Sequence, residues 1–121
     1  IKLLNTKFYD GFEGESELAL SDGENKIIMW NGYFETLLKA LLDNNLEKEG
    51  IIKEYFYQEG WYDDSPWVIE DVQLTINQMK SFDVSKLDAS DGFKKELVEL
   101  VQEIIQFLEH VKNKTVVIEY D

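Results

Sequence analysis

The stretch SDGFKKELVELVQEIIQFLEHVKNKTVVIEY, Ser90 to Tyr120, decides the fold class. Phe93, Leu97, Val101, Ile104, Leu108 and Val111 recur at helical spacing, and Leu100, Ile105 and Phe107 widen the stripe. Ser90 or Asp91 caps its start. About 22 residues make roughly 33 Å of helix. The stripe reads as core rather than as a coiled-coil dimer seam. Asn113-Lys114 then turns the chain into Thr115–Tyr120, where β-branched residues predict a C-terminal strand.

Upstream of this unit, Ser65-Pro66 reads as a helix start. A hydroxyl stands at the N-cap and proline follows at the first helical position, where its missing N–H is no loss. Ile69, Val72, Ile76 and Met79 mark one face of that helix, which ends around Phe82-Asp83. Ile51–Tyr57 fits a strand by residue type, although Ile52 and Phe56 also stand four apart, and the strand is the favoured reading. Tyr33–Asp43 has helical period through Phe34, Leu37, Leu38, Leu41 and Leu42, starting at Asn31 or Gly32 and stopping at Asn44-Asn45.

Residues 1–9 alternate loosely and predict a first strand. Asp10-Gly11 and Glu13-Gly14 are turn signals. Glu15–Leu20 alternates, which predicts a strand with one wet face. Ser21-Asp22-Gly23 is a tight turn, so Leu18–Trp30 reads as a hairpin. Trp30, beside Ile27-Ile28-Met29, is expected in the core. The elements add up to an α+β domain spanning residues 1–121. Its sheet is mainly antiparallel, made of the N-terminal strands plus the C-terminal strand, with about three helices packed on one face.

Charge is the outstanding feature of the composition. The chain carries 25 acids against 12 bases, a formal charge of −13. Residues 8–25 hold Asp10, Glu13, Glu15, Glu17, Asp22 and Glu24, and residues 54–79 hold Glu54, Glu59, Asp63, Asp64, Glu70 and Asp71, with no lysine in either window. The rest of the chain is nearly neutral. Such a distribution speaks to partners and association rates rather than to fold. All 12 bases are lysine. Without arginine forks, and with this net charge, a nucleic-acid binder or a phosphoryl-transfer enzyme is disfavoured. The absence of cysteine excludes disulfides, thiolate catalysis and cysteine-ligated metals. No apolar run reaches the length of a membrane span, and the start lacks the apolar region of a signal peptide. The first residue is not methionine, so a few leading residues are expected to be missing; the expected compartment is the cytoplasm.

The stretch that bears on function is GWYDDSPWVIED, Gly60–Asp71. It sets Trp61, Tyr62 and Trp67 among Asp63, Asp64, Glu70 and Asp71, with no cation, and Glu59 stands just before it. Large aromatics in a polar loop act as anchors at interfaces. Trp61 reads equally as partner anchor or as core, and Trp67 more readily as a pin between chain and core. The other chemistries weigh less. His110, the one histidine, lies in the last turn of the long helix and reads as a surface residue, since no second ligand type or nucleophile accompanies it. Asp63-Asp64, Asp22-Gly23-Glu24 and Asp88–Gly92 all lack the spacing of a calcium loop. The carboxylates around Trp61 are too many and too clustered to serve as one acid and one base of a glycosidase. We therefore expect no catalytic residues, no metal and no cofactor.

With Gly60-Trp61-Tyr62-Asp63-Asp64-Ser65-Pro66-Trp67 in place, this cysteine-free acidic α+β chain resembles the bacterial immunity proteins of contact-dependent growth inhibition and related polymorphic toxin systems. The resemblance implies a cytoplasmic protein that binds one cognate toxin domain, often a basic nuclease, and blocks its active site or substrate groove. The partner-binding residues would be Glu59, Trp61, Tyr62, Asp63, Asp64, Trp67, Glu70 and Asp71. Neither direct nucleic-acid binding nor a membrane is involved, and the protein would be a monomer or weak homodimer. The competing expectation is a non-catalytic adaptor or homodimeric module whose acidity serves solubility. The two acidic windows are expected to meet in space.

Overall fold

The structure, a computed structural model, describes residues 3–43, 49–57 and 66–120. The chain forms a mixed five-stranded sheet covered on one face by helices. In chain order these are β1 (Leu4–Phe8), β2 (Glu17–Ser21), β3 (Lys26–Trp30), α1 (Asn31–Asp43), α2 (Gly50–Tyr57), β4 (Trp67–Val68), α3 (Val72–Lys80), a short 3-10 turn (Val84–Lys86), α4 (Asp91–Val111) and β5 (Val117–Tyr120). The strand order is β1-β3-β2-β5-β4. All pairings are antiparallel except β1 with β3, which run parallel.

Register separates the two faces. Leu18 lies opposite Met29 and Tyr120, Leu20 opposite Ile27 and Ile118, and Trp67 opposite Ile118. Side chains alternate across a strand, so these residues share one face. On it they join Phe34, Leu37, Leu38 and Leu41 of α1, Ile76 and Met79 of α3, and Leu97, Leu100, Val101, Ile104, Phe107, Leu108 and Val111 of α4 in one core. The stripe of α4 is thus spent on its own core. Ser90 caps α4, its hydroxyl accepting from the Phe93 N–H at 3.3 Å. A register shift between Asn5 and Phe8 lets Asn5 donate to Glu103 of α4 at 2.8 Å while Phe8 is buried. Lys7 adds ion pairs to Glu103 (2.9 Å) and Glu99 (3.5 Å).

Two local expectations are corrected. Ile51–Tyr57 is the helix α2 rather than a strand. Its neighbours Ile51 and Ile52 are 4% and 0% exposed, while Lys53 is exposed. A strand sends adjacent side chains to opposite faces, and this sheet is covered on one only. A helix places neighbours about 100° apart, so both isoleucines fit one buried stripe. The second correction concerns Pro66, which leads into β4 and not into a helix. Trp67 and Ile69 are buried with Val68 exposed between them, a period of two. The Ile69 N–H extends the pairing to the Val116 carbonyl at 2.8 Å. Since β4 pairs with β5 alone, it is an edge, where the missing N–H of a preceding proline is harmless. The helix α3 starts later, at Val72, capped by the Asp71 carboxylate, which accepts from the Leu74 N–H at 2.9 Å.

The wet face expected for β2 is also drier than its sequence suggests. Ala19 and Ser21 are 4% and 2% exposed although they face away from the helices. Lys26 stands in register with Ser21, and Glu119 with Ala19. Their 3.0 Å ion pair spans β2 and covers its small side chains.

Candidate functional site

Of the residues singled out in the sequence, Glu59, Trp61, Tyr62, Asp63 and Asp64 lie outside the described residues, as does Ser65. The others have defined places. Trp67 is 8% exposed and belongs to the core. With Glu70 it lines a cleft of about 230 Å³ between β4 and the start of α2. Glu70 is exposed, and Asp71 is the exposed cap of α3.

Strand order creates a second aromatic and acidic locus, which sequence reasoning divided between a turn and a core tryptophan. Because β3 lies between β1 and β2, the loop joining β1 to β2 has to cross the end of β3, where Trp30 sits. The loop is wound as successive tight turns, with N–H bonds from Phe12 to the Tyr9 carbonyl (3.0 Å) and from Glu15 to the Phe12 carbonyl (2.9 Å). Gly11 and Gly14 hold the third position of these turns at φ of 88° and 93°, the left-handed region that such turns reserve for glycine. Asp10 and Glu13 therefore project from the corners, while Phe12 between them turns inward.

Phe12 stacks on Trp30 with ring centres 4.6 Å apart and planes 6° from parallel. Tyr33 meets both edge-on, at 5.4 and 5.3 Å, and Phe93 of α4 continues the cluster at 5.4 Å from Tyr33. Trp30 was expected in the core. It is half-buried at the margin of that core: Ile27 and Met29 take the core face of β3, Trp30 falls in register with Glu17, and its ring lies over Gly32 at the start of α1. Burial, and secondarily the Glu96 carboxylate, raises the pKa of the Tyr33 hydroxyl.

Around this cluster Asp10, Glu13 and Glu15 are exposed and Glu17 half-buried, and none of them pairs with a described cation. The opposite end of β2 differs. There Asp22 closes the β2–β3 turn, accepting from the N–H groups of Asn25 (2.6 Å) and Glu24 (2.9 Å) and from the Asn25 amide (3.0 Å). These bonds, the Asn25 N–H foremost, together with Lys114 hold its carboxyl well below the usual range. Lys114 stands 3.5 Å from Asp22 and 4.0 Å from Glu24, and it lines a groove with Glu70 and Asp71. Lys114 thus stands between Asp22 and Glu24 of the first acidic window and the groove that holds Glu70 and Asp71 of the second, whose Glu59, Asp63 and Asp64 lie outside the described residues. The rest of the first window stands at the other end, a strand length of roughly 17 Å away.

His110 is exposed. Among the described residues no group of three or more His, Asp or Glu side chains is arranged to hold a metal ion, and no helix is long and apolar enough to cross a membrane. Comparison with protein-family models, with curated proteins and with solved structures found no match to this chain.

Proposed function

We propose that this protein is a cytoplasmic immunity protein that binds and neutralises a cognate, basic, nuclease-type toxin domain. The observation that carries the reading is the group of carboxylates, Asp10, Glu13, Glu15 and Glu17, that form no ion pair among the described residues and are set around the stacked rings of Phe12 and Trp30. Asp63 and Asp64 beside Trp61 and Tyr62 repeat the same pairing of residue types in sequence. A nuclease has to attract phosphate, so its groove is basic. An acidic inhibitor exploits the same field and gains fast association and charge complementarity. Aromatic side chains next to the charges supply the desolvated anchors that slow dissociation.

The test is co-expression with the product of the neighbouring gene, expected to be the toxin. Growth should be rescued, and the purified pair should associate at a rate that falls steeply between low and high salt. Loss of rescue together with no measurable complex would refute the proposal.

A further inference from the structure

The core stripe of α4 leaves a flank of the same helix outside the core, and a groove runs beside that flank. Phe82, Val84, Val98 and Ile105 are half-buried and line it, over a floor of Met79 and Val101, which are 1% and 5% exposed. The groove measures about 430 Å³ and lies between the end of α3, the 3-10 turn and α4. Four partly exposed apolar side chains in one concavity mark an interaction surface rather than scattered exposure.

The charges along the flank identify what fits it. Asp91, Lys94, Val98, Ile105, Glu109 and Lys112 fall within an arc of about 60° on the helix, at 3.6 residues per turn. Their spacings of three, four, seven, four and three residues are symmetrical about the middle of the helix. Read backwards, the order acid, base, apolar, apolar, acid, base is the same with the signs exchanged. A second copy packed antiparallel along the flank, across a two-fold axis beside Gln102, would set Asp91 against Lys112, Lys94 against Glu109 and Val98 against Ile105, each pair twice.

The single chain leaves these charges short of partners. Asp91 and Lys94 form no ion pair among the described residues, while Lys80 and Lys112 share Glu109 at 3.7 and 3.3 Å. Groove and flank together carry Lys80, Lys94 and Lys112 against Asp83, Asp91 and Glu109, a balanced surface on a chain of charge −13. A strongly basic partner finds no surplus to match there, and a second copy meets no local repulsion. A strip about 33 Å long and 10–12 Å wide covers roughly 350 Å² on each copy. Phe82 and Val84 widen it, and the total stays below the roughly 1,200 Å² at which stable interfaces begin. The complex is therefore weak, with a dissociation constant of about 10–100 μM.

We infer that this flank of α4, with the groove beside it, joins two copies of the chain in an antiparallel pair. The inference is independent of the immunity reading, and its test needs the purified chain alone.

The experiment is sedimentation equilibrium from about 5 to 500 μM in about 0.15 M salt, where only close charges interact strongly. The unmodified protein should pass from monomer to dimer across this range. Lys94→Glu should weaken the dimer at least about tenfold, since it sets two like-charged pairs across the interface. Adding Glu109→Lys should bring the dimer back to within about threefold of the unmodified protein. Lys53→Glu makes the same change of charge at an exposed position on α2 and should alter association by less than about threefold. Circular dichroism first shows that each variant keeps the fold, and Gln102→Glu, at the exposed position beside the axis, replaces Lys94→Glu should that variant misfold. A protein that stays monomeric throughout overturns the inference. So does a dimer that Lys94→Glu and Lys53→Glu weaken alike, or one that Glu109→Lys fails to restore.

Discussion

Gly32 and Gly92 occupy the same place in different helices, second residue of α1 and second residue of α4. Replacing a helical glycine by alanine ordinarily stabilises by up to about 1 kcal/mol. For Gly92 nothing lies within 4 Å of the added Cβ, and Gly92→Ala should show that gain. For Gly32 the Cβ would stand 2.4 Å from the Trp30 ring, well inside van der Waals contact. The ring has no easy retreat, since Phe12 stacks on it and Tyr33 meets its edge. Overpacking of this kind costs about 1–3 kcal/mol, which exceeds the helix-propensity gain. The net effect of Gly32→Ala is therefore a loss of up to about 2 kcal/mol. For a chain of this length that lowers the melting temperature by up to about 10 °C. Urea unfolding followed by far-ultraviolet circular dichroism gives the free energy, and near-ultraviolet circular dichroism reports the displaced indole. In a Trp30→Leu background the penalty should vanish, a coupling that a double-mutant cycle measures directly. If Gly32→Ala stabilises as Gly92→Ala does, the ring does not lie over α1 and the aromatic locus is wrongly drawn.

Asp71 separates structure from recognition. Asp71→Ala should lose about 0.5–2 kcal/mol of stability with the α3 cap, whereas Asp71→Asn should keep the cap and change only the salt-dependent association rate with a basic partner. Asp22 supplies a pH test. Its folded pKa is depressed, so its contribution is complete above the unfolded value and disappears as pH falls through the folded one; Asp22→Asn should therefore flatten the acid limb of a stability–pH profile, with the variants converging at the lowest pH. In the core, Ile104→Ala removes a side chain with no solvent exposure and should cost about 2–5 kcal/mol in urea unfolding. For the complex, Trp61→Ala and Asp63→Ala are expected to speed dissociation and Glu15→Ala to slow association, read from both rate constants at two salt concentrations.

What could be read along the chain is what local periodicity encodes. The stripe from Leu97 to Val111, the Leu18–Trp30 hairpin and the helical run from Phe34 to Leu41 each repeat their pattern within a few residues, and each forms as read. Asp10-Gly11 and Glu13-Gly14 likewise announce turns, because a left-handed residue selects glycine wherever it occurs. Ile51–Tyr57 reads as a strand because a short apolar run carries little periodicity of its own, and the number of covered sheet faces decides there; Trp67–Ile69 reads as helix because a proline after a hydroxyl residue suits a helix start and the entry to an edge strand alike. Strand order lies beyond any local signal. The placement of β3 between β1 and β2 is what carries Phe12 over Trp30 and gathers four carboxylates about them. The same order brings Lys26 and Glu119, which are distant in sequence, together over β2. The sequence by itself determined the elements and the surplus of negative charge. Only the tertiary structure decided where that charge stands unpaired and which face of the sheet remains open, because both depend on contacts between segments with no shared local pattern.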